Sequence, residues 1–449
     1  MSEHSAITFI AQSGGNLSGQ IRVPGDKSIS HRSIMLGSLS DGTMTVTGFL
    51  QGEDSLATLK VFQAMGVEIQ GPDADGKVII RGVGMHGLQQ PAEPLDLGNS
   101  GTSMRLLTGL LASQGFDVTL TGDHSLSSRP MKRVTEPMMQ MGAVIETNET
   151  GTAPLHIKSG KDTRLSAINY TLPMASAQVK SCVLLAGLYA QGKTCVVEPA
   201  PTRDHTERML QGFGYKLDIE KLDEQSSRIC LEGGGKLTAC DIDVPSDISS
   251  AAFFMVGASI AEGSDLTLKH VGINPTRIGI INILQQMGAD IKLSNQREVG
   301  GEPVADIRIR SAQLKGIHIP EDQVPLAIDE FPAIAIAAAC AEGQTILTGA
   351  EELRVKESDR IQAMVDGMQI LGIDCKGTND GMIINGGKFT QGTVDSLGDH
   401  RIAMSFAMAA LKATGTIIIK DCANVNTSFP GFIELAQSCG LQVNKEDDQ

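Results

Sequence analysis

An internal repeat that occurs six times constrains the fold of this chain more than any other feature of its sequence. Each repeat contains a run of small and apolar residues with few charges, then a segment with an amphipathic pattern, and both segments end at a glycine. The first segments end at Gly42, Gly115, Gly192, Gly263, Gly343 and Gly415. The second segments end at Gly66, Gly142, Gly214, Gly288, Gly372 and Gly440. Both sets recur about every 75 residues, a period that is too long for an ordinary solenoid and predicts six α/β units.

Each repeat is predicted to contain one buried helix, one amphipathic helix and short strands such as TVTGFL, KVIIRG, CVVEPA and TIIIKD. The first helix of each repeat is apolar on nearly all sides, so we expect other elements to cover it completely. Asp247, Asp329 and Asp399 stand where the fourth, fifth and sixth of these helices begin, and we expect them to cap those helices. The glycines fit the left-handed residue that follows the end of a helix.

The 449 residues are enough for two or three domains, and six repeats divide most simply into two domains of three. Two similar phrases, RVPGDKSIS at 22–30 and DVPSDISS at 243–250, each combine a strand, Val-Pro, a turn and a buried helix. We therefore expect the chain to cross between domains twice, with hinges near 22–26 and 243–247. One domain is then discontinuous and consists of 1–22 and 244–449, while the other is 23–243.

The composition argues against several classes of protein. The net charge of −15 disfavours nucleic acid and anionic membranes as main partners. The first fifteen residues lack the pattern of a signal peptide, and the longest apolar helical stretch, 248–261, is too short to cross a bilayer. The eight cysteines form neither a CxxC pair nor a zinc pattern, so we expect free buried thiols in a reducing cytoplasm.

Basic residues concentrate at the predicted helix starts, where free N–H groups and the helix dipole favour anions. The phrase PGDKSISHR places Lys27, Ser28 and Arg32 within a little more than one helical turn, a pattern typical of an anion clamp. Further candidates at helix starts are Gly101, Arg129, Ser176, Ala177, Gln178, Arg203, Lys356, Arg360, His400 and Arg401. Each of them alone is also compatible with a surface residue or a helix cap. Together they favour substrates that carry phosphate and carboxylate groups.

The acidic residues near these positions have two interpretations. Asp204 and Glu207 have the spacing of a capping box, which leaves Arg203 as the candidate ligand in the phrase TRDHTE. Asp329 lies at the start of a very apolar helix, where it is either a cap or a general base. Glu357 lies in the phrase EELRVKESDR, whose crowded acidic and basic groups should titrate together.

Several of these phrases together carry a family resemblance. PGDKSISHR, LGNSGTSMRLL, MASAQVKS, TRDHTE, EELRVKESDR and DHRIAMSF follow one another along the chain. In this order they resemble the 5-enolpyruvylshikimate-3-phosphate (EPSP) synthase family over essentially the whole length, and they look most like its bacterial class II branch. The resemblance implies a two-domain α/β fold, the inside-out barrel of the enolpyruvyl transferases. Each domain would hold three βαβαββ-type units around parallel buried helices, with the helix N-termini facing an interdomain cleft.

The resemblance also implies a reaction. The family transfers the enolpyruvyl group of phosphoenolpyruvate to the 5-hydroxyl of shikimate 3-phosphate and releases phosphate, with no metal and no organic cofactor. It implies a cytoplasmic, monomeric enzyme of the shikimate pathway, in which glyphosate would occupy the phosphoenolpyruvate site. Tolerant class II relatives have alanine at the position of Gly101, so we expect this chain to be more sensitive to glyphosate than they are.

The family motifs also imply individual residue roles. The residues that match the shikimate 3-phosphate site are Lys27, Ser28, Arg32, Ser176, Ala177, Gln178, Arg203, Asp329 and Lys356. Those that match the phosphoenolpyruvate site are Lys27, Gly101, Arg129, Gln178, Arg360 and Arg401. Many members have a lysine just before a TFP-like phrase near the C-terminus. Here the phrase TSFP begins with Thr427, so we expect no separate lysine contact there.

Addition followed by elimination needs one base and one acid close to the reacting atoms. We interpret Asp329 as the acceptor of the hydroxyl proton and Glu357 as the proton donor to the methylene carbon. Lys27 and His400 are alternative proton carriers. The donor role requires Glu357 to hold a proton although three neighbouring cations oppose it.

Two other functions fit part of the pattern. The related transferase that acts on UDP-N-acetylglucosamine shares the fold but uses a loop cysteine, and the corresponding loop here, GDHSLSSRP at 122–130, has none. A non-catalytic anion-binding scaffold would keep the basic residues but would need neither Asp329 nor Glu357. Phosphate release that depends on both substrates distinguishes the predicted transferase from both alternatives.

Overall fold

The chain forms two compact units in a computed structural model that describes residues 7–160 and 163–447. The terminal unit takes in the described residues of Met1–Pro24, Pro245–Glu298 and Pro303–Gln449. The central unit comprises Gly25–Val244 and Val299–Glu302. The two main joins therefore follow Pro24 and Val244, inside the two Val-Pro phrases. The expectation that these units are separate domains stays a prediction.

The strands and helices are short and alternate along the chain. The strands are β1 Ile7–Ala11, β2 Ser18–Ile21, β3 Thr43–Thr47, β4 Glu68–Gln70, β5 Val78–Arg81, β6 Leu95–Asp96, β7 Val118–Thr121, β8 Val144–Glu146, β9 Leu155–Lys158, β10 Asn169–Thr171, β11 Lys193–Glu198, β12 Asp218–Lys221, β13 Ser227–Glu232, β14 Ile242–Asp243, β15 Asp265–Gly272, β16 Asp290–Val299, β17 Glu302–Arg310, β18 Gln344–Leu347, β19 Cys375–Gly377, β20 Met382–Asn385, β21 Gly392–Asp395, β22 Ile417–Lys420 and β23 Val443–Asp447. The helices are α1 Lys27–Leu39, α2 Glu53–Ala64, α3 Gly101–Leu111, α4 His124–Ser128, α5 Lys132–Gln140, α6 Ala177–Gly187, α7 His205–Gly212, α8 Ile248–Ile260, α9 Gly279–Gln286, α10 Phe331–Ala339, α11 Arg360–Ile370, α12 His400–Ala409, α13 Val425–Ser428 and α14 Phe432–Cys439.

Six small sheets recur in the described part of the chain, three in each unit. In the central unit the strand orders are β14-β3-β5-β4, β6-β7-β9-β8 and β10-β11-β13-β12. In the terminal unit they are β16-β17-β15-β2, β18-β20-β19 and β21-β22-β1-β23. Most sheets join a parallel pair to antiparallel neighbours, as where β6 runs parallel to β7 and β7 runs antiparallel to β9. This recurrence confirms the six-fold repeat that the sequence predicts.

Each unit is built around three of the buried helices. These are α1, α3 and α6 in the central unit and α8, α10 and α12 in the terminal unit. All residues of α8 are buried, as the apolar sequence predicts, and α8, α10 and α12 pack against one another. Each unit has its own apolar core around these helices. No helix among the described residues is long and apolar enough to span a bilayer.

The glycines that mark the repeat have two different roles. Those of the second set, such as Gly66 after α2 and Gly288 after α9, follow the helix end and have positive φ, as predicted. Those of the first set lie further along, in the turn that leads to the next strand, so the prediction of a helix-terminal glycine is wrong for them. Gly415 does not have a positive φ at all. A small residue there suits the close approach of the Gln391 side chain.

Two of the three predicted aspartate caps are confirmed. Asp247 accepts the backbone N–H of Ser249 at 2.8 Å, and Asp399 accepts that of Arg401 at 2.9 Å. Asp329 is not a cap, because α10 begins only at Phe331 and the N-cap position is that of Glu330. The Asp329 carboxylate is therefore available for other contacts.

The prediction that all cysteines are free is wrong for one pair. Cys195 on β11 lies directly opposite Cys230 on β13 in the antiparallel register, and the two form a disulfide. No local pattern indicates this pair, because 35 residues separate its members. The other cysteines, Cys182, Cys240, Cys340, Cys375, Cys422 and Cys439, are free.

Candidate active site

The predicted site residues fall into two sets, one on each unit. The terminal set, on the terminal unit, comprises Asp329, Lys356, Glu357, Arg360, His400 and Arg401. The central set, on the central unit, comprises Lys27, Ser28, Arg32, Gly101, Arg129, Ser176, Ala177, Gln178 and Arg203. Within each set the structure brings side chains from several helix starts together, as the sequence predicts.

Asp329 lies between two cations in the terminal set. Its Oδ1 is 3.5 Å from Lys356 Nζ and 3.5 Å from Arg360 Nη1. The side chain is 14% exposed, so solvent or a ligand can reach it. Two nearby positive charges favour the ionised form of a carboxyl group, which is the form that accepts a proton. Asp329, two residues before α10, therefore lies where it can meet a ligand beside both cations.

Arg360 is the buried centre of the terminal set. Its Nε donates to Asp399 Oδ2 at 2.8 Å, and its Nη2 donates to Glu357 Oε2 at 2.6 Å. Burial opposes the charge of the guanidinium, but Asp399, Glu357 and Asp329 outweigh burial and raise the pKa of Arg360 above its usual value. Burial likewise opposes the charge of Asp399, yet Arg360 holds the pKa of this carboxyl below its usual value.

The other members of the terminal set are anchored around this centre. Arg401 donates from Nη1 to the backbone oxygen of Asp329 at 3.0 Å, which ties the start of α12 to the segment just before α10. Lys356 also contacts Glu352 at 2.6 Å, and Glu357 remains about one third exposed. His400 is buried at the start of α12, next to the capping residue Asp399.

The start of α1 carries the first part of the central set. Asp26 caps the helix by accepting the N–H of Ile29 at 2.9 Å, and Lys27 forms an ion pair with Asp54. Lys27 and Ser28 are both partly exposed, which suits residues that meet a ligand. The residues of the predicted anion clamp therefore lie at the start of α1, with Asp54 as a neighbour that the motif alone did not indicate. Their binding of an anion stays a prediction.

Arg32 is almost fully buried beneath this clamp. Its guanidinium donates to Thr206 Oγ1 at 2.7 Å, to Ser181 Oγ at 3.0 Å and to the backbone oxygen of Ser28 at 3.0 Å. Burial lowers the pKa of Arg32 to about 10, while the nearby Glu207 opposes that shift. The side chain stays charged at neutral pH and fixes α1 against α6 and α7.

A third group joins α3 to α6. Gln178 accepts from Arg105 Nη1 at 2.6 Å and donates to Thr102 Oγ1 at 3.1 Å. The partly exposed Ser176 caps α6 through the N–H of Val179, and Ala177 is the first helical residue. With a methyl side chain, Ala177 has only backbone groups to offer a polar ligand.

Gly101 lies against two guanidinium groups. A Cβ built on Gly101 would be 3.0 Å from Arg105 Nη1 and 3.1 Å from Arg129 Nη1. Arg129 is itself oriented by a donated hydrogen bond to Asn99 Oδ1 at 2.8 Å. The absence of a side chain at Gly101 therefore leaves room for both guanidinium groups at the start of α3.

The predicted capping box at α7 is wrong. Asp204 makes no side-chain cap and instead contacts Arg208 Nε at 2.8 Å. Glu207 turns inward and accepts from the buried Lys180 at 2.7 Å, and Lys180 also contacts Glu198 at 2.8 Å. Burial favours the inward pairing, because a buried lysine needs a carboxylate partner. Arg203 remains partly exposed near Arg32, as a candidate ligand.

The structure adds residues that the sequence interpretation missed. Arg105 donates to Gln178, and Asp54 pairs with Lys27. Asp399 is predicted only as a cap, but it also forms an ion pair with Arg360. A signal for Arg105 was present, since it follows Gly101 by four residues and therefore shares its face of α3. No group of three or more His, Cys, Asp or Glu side chains in the described ranges is arranged to hold a metal ion.

Comparisons with known proteins identify the family of this chain. The family model of EPSP synthase (3-phosphoshikimate 1-carboxyvinyltransferase) matches residues 11–435. A 3-phosphoshikimate 1-carboxyvinyltransferase from Methylococcus capsulatus is 67% identical over 437 residues, which cover 97% of this chain and 98% of the relative. The solved structure of EPSP synthase from Acinetobacter baumannii has a TM-score of 0.89 at 59% identity and covers 98% of this chain and 100% of its own.

A more distant structure supports the fold alone. The enolpyruvyl transferase NikO from Streptomyces tendae has a TM-score of 0.78 at only 16% identity, and the match covers 99% of this chain and 100% of that chain. The enolpyruvyl transferase fold predicted from the sequence is therefore confirmed.

Proposed function

This chain belongs to the EPSP synthase family, and on that basis we propose which of its residues bind the two substrates and which move the proton. Its activity is that of a 3-phosphoshikimate 1-carboxyvinyltransferase. The enolpyruvyl group of phosphoenolpyruvate is transferred to the 5-hydroxyl of shikimate 3-phosphate, and phosphate is released. The assignments below divide that reaction among the terminal and central sets.

The central set binds shikimate 3-phosphate through Lys27, Ser28, Arg32, Ser176, Ala177, Gln178 and Arg203, and the terminal set adds Asp329 and Lys356. The partial exposure of Lys27, Ser176 and Arg203 supports a direct contact with the substrate. Arg32 is buried and already bonded through three nitrogens, so its contribution is chiefly a fixed positive charge near the substrate phosphate.

Phosphoenolpyruvate is bound by Lys27, Gly101, Arg129, Gln178, Arg360 and Arg401. Two features support this assignment. Gly101 leaves space beside the Arg129 guanidinium, and Arg401 is partly exposed at the start of α12. Guanidinium groups suit the carboxylate and phosphate of this substrate, because they form paired hydrogen bonds with planar and tetrahedral anions.

Asp329 accepts the proton of the 5-hydroxyl as this oxygen attacks carbon 2 of phosphoenolpyruvate. The observation that carries this role is that the Asp329 carboxylate does not cap α10 but lies 3.5 Å from both Lys356 and Arg360. These cations favour the ionised acceptor before the proton arrives. If Asp329 were only a helix cap, its carboxylate would accept hydrogen bonds from the backbone N–H groups of α10.

Glu357 donates a proton to carbon 3 of phosphoenolpyruvate, and elimination of phosphate then removes a proton from the same carbon. In the structure Glu357 is held by Arg360 at 2.6 Å, which opposes protonation. A substrate carboxylate at Arg360 would compete for this guanidinium and place a negative charge beside Glu357. Both changes raise the proton affinity of Glu357, so substrate binding itself prepares the donor. Lys27 and His400 remain the alternative proton carriers.

The proposal is tested by Asp329→Asn, with phosphate release from phosphoenolpyruvate as the readout. The amide keeps the shape and can still accept a hydrogen bond, but it cannot take up the proton. We expect kcat to fall by about 10²- to 10⁴-fold, the usual contribution of a general base, while the KM for shikimate 3-phosphate changes less than about threefold. The matched control is Asp374→Asn, an exposed carboxylate that contacts Asn385 in the same unit. Unchanged kcat in Asp329→Asn refutes the base role.

Several family expectations stay predictions. Glyphosate is proposed to compete with phosphoenolpyruvate at Gly101, Arg129 and Arg360, and the chain is proposed to be monomeric and cytoplasmic. The alternatives of a UDP-N-acetylglucosamine transferase and a non-catalytic scaffold have no support, since the high-identity relatives are 3-phosphoshikimate 1-carboxyvinyltransferases.

A further inference from the structure

A buried polar cluster in the terminal unit lies next to Asp329 and Arg401 and belongs to neither substrate set. We call it the Glu330 cluster, and it comprises Asp247, Ser249, Arg277 and Glu330. The side chains of Arg277 and Glu330 are only 4% and 1% exposed. Charged groups are buried this deeply only when other groups compensate their charge, so the contacts within the cluster show what it does.

The cluster is built around one carboxylate oxygen, Oε1 of Glu330. The hydroxyl of Ser249 donates to this oxygen. Arg277 Nη2 donates to Ser249 Oγ at 2.7 Å and to Asp247 Oδ1 at 3.1 Å, and it lies 3.9 Å from Glu330 Oε1. Arg277 thus places one positive charge against two carboxylates.

The same oxygen faces the proposed phosphoenolpyruvate site. Glu330 Oε1 lies 4.0 Å from Nη1 of Arg401, which donates to the backbone oxygen of Asp329 at 3.0 Å. The backbone of Glu330 is fixed at the start of α10, since its N–H donates to Ala327 and its oxygen accepts from Ile334. The carboxylate itself is held beside Arg401 by the hydroxyl of Ser249.

This arrangement poses an electrostatic problem for an anionic substrate. A buried carboxylate 4.0 Å from Arg401 partly neutralises the charge that Arg401 offers and repels an incoming anion. Arg277 counteracts this effect, because its own charge is directed at Glu330 and Asp247. Asp247, Glu330 and Arg277 together carry a net charge of −1 beside Arg401, and loss of Arg277 would increase it to −2.

We propose that Arg277 is a positioning residue for the phosphoenolpyruvate side of the reaction, which acts through Glu330 on Arg401. Arg277 offsets part of the negative charge of Glu330 and Asp247, so that the guanidinium of Arg401 stays directed at the substrate anion. The inference rests on the proposed assignment of Arg401 to phosphoenolpyruvate. It predicts a specific coupling: loss of Arg277 is harmful only as long as Glu330 keeps its charge.

The test compares Arg277→Gln, Glu330→Gln and the double variant, with KM measured separately for each substrate. We expect Arg277→Gln to raise the KM for phosphoenolpyruvate at least tenfold and to change that for shikimate 3-phosphate less than twofold. In Glu330→Gln alone, both KM values should stay within about threefold of wild type. In the double variant the KM for phosphoenolpyruvate should be at least fivefold lower than in Arg277→Gln. A double variant as impaired as Arg277→Gln, or an equal rise in both KM values, overturns the proposal.

Two further variants keep the test decisive. Arg308→Gln removes an exposed arginine that pairs with Asp265 in the same unit, and it should leave both KM values unchanged. If Arg277→Gln does not fold, as judged by its thermal unfolding midpoint, Arg277→Lys replaces it. Lysine keeps the positive charge but does not reproduce the planar guanidinium that places Nη2 on both Ser249 and Asp247, so it should offset Glu330 less well. The KM for phosphoenolpyruvate should therefore rise about threefold, and Glu330→Gln should reverse this rise. Absence of that reversal counts against the proposal.

Failure of the underlying assignment gives a different result. Arg401→Gln should raise the KM for phosphoenolpyruvate more than any variant of the Glu330 cluster. If Arg401→Gln leaves that KM unchanged, the assignment of Arg401 under the proposed function is wrong. If Arg401→Gln raises it but Arg277→Gln does not, only the role of Arg277 is wrong.

Discussion

Arg360 shows how a single buried side chain organises the chemistry of the terminal set. Its guanidinium is shared among Asp399, Glu357 and Asp329, which lie on or beside three different helix starts. Asp399 is fully buried and cannot leave, whereas Glu357 is about one third exposed and can. An arriving substrate carboxylate would therefore displace Glu357 first. The residue proposed to donate the proton is thus the one whose ion pair is easiest to exchange.

The structure also gives the substitution Gly101→Ala a defined physical consequence. The added methyl would lie 3.0–3.1 Å from the guanidinium groups of Arg105 and Arg129, and both would have to shift by a few tenths of an ångström. Both are ends of flexible side chains, so the protein should fold normally. We expect the KM for phosphoenolpyruvate to rise a few-fold and the inhibition constant of glyphosate to rise by at least tenfold, because the longer inhibitor leaves less room.

This expectation is checked by measuring both constants in wild type and Gly101→Ala under the same conditions. Gly115→Ala is the matched control, because Gly115 lies after α3 with nothing within 4 Å of an added methyl. Its positive φ affects stability rather than the site. If glyphosate inhibits Gly101→Ala and wild type equally, the crowding argument does not hold.

At the scale of elements, His31 links three helices of the central unit. It lies on α1, and its Nδ1 is 2.8 Å from Thr58 Oγ1 on α2 and 3.2 Å from Ser103 Oγ on α3. Burial lowers the pKa of His31 to about 3, Asp54 opposes this shift, and Lys27 and Arg32 add to it. The neutral ring is therefore part of the packing beneath Lys27 and Ser28.

This burial predicts a pH dependence of stability. The pKa of His31 is lowered in the folded state, so its contribution is fully present above the unfolded pKa of 6.5 and is lost as pH falls from there towards 3. Between pH 6.5 and 5 the unfolding free energy falls by at most about 2 kcal/mol, because each pH unit below 6.5 lowers it by at most about 1.4 kcal/mol. Urea unfolding of wild type and His31→Gln at pH 7.5 and pH 5 measures this loss of unfolding free energy.

We expect the difference in unfolding free energy between wild type and His31→Gln to shrink as the pH falls to 5. His124→Gln, an exposed histidine on α4, is the control and should show no such change. A difference between wild type and His31→Gln that is constant from pH 7.5 to pH 5 would show that His31 contributes only through its shape.

The sequence predicts the elements better than it predicts their ends. The buried helices follow from runs of small apolar residues, since only full coverage makes such helices stable. The start of α10 was misplaced because Pro332 and Phe331 begin the helix after Asp329, and the same displacement is what leaves Asp329 available as a base. The capping box at α7 failed because a buried lysine on α6 competes for Glu207, and such a tertiary contact has no local signal.

Some features depend on strand register and were outside the reach of sequence patterns. The disulfide between Cys195 and Cys230 requires β11 and β13 to be adjacent and in one particular alignment. The Glu330 cluster depends on tertiary packing instead, because it joins residues at the starts of α8 and α10 to the segment before α9. Motif matching points to the side chains proposed to bind substrate, while their buried partners are visible only in the packing.

At the scale of the whole molecule, the repeat leads to two units that each have a complete core. The apolar core of the central unit extends from Ile29 to Val244, so it lies within one continuous stretch of chain. Only the short segment Val299–Glu302 is added from elsewhere, where Glu302 contacts His205 at 2.7 Å and Gly301 accepts from Arg208. The residues assigned to proton transfer, Asp329 and Glu357, are both outside this unit.

We therefore expect a fragment of residues 25–244 to fold alone and to bind shikimate 3-phosphate without catalysing transfer. Its stability should be lower than in the full chain, because His205 loses its hydrogen bond with Glu302. Ligand at about 100 times its dissociation constant should stabilise the fragment by about 2.7 kcal/mol. Thermal unfolding with and without shikimate 3-phosphate measures this shift, and phosphate release from phosphoenolpyruvate measures transfer.

The fragment with Lys27→Met is the matched control, since it removes one partly exposed cation of the central set and no residue of the apolar core. It should fold but lose most of the stabilisation by shikimate 3-phosphate. Cooperative unfolding without any ligand effect in the unmodified fragment would mean that Asp329 and Lys356 of the terminal set carry the binding. Absence of a cooperative transition would mean that the central unit is not a domain, and that its continuous core depends on the remainder of the chain.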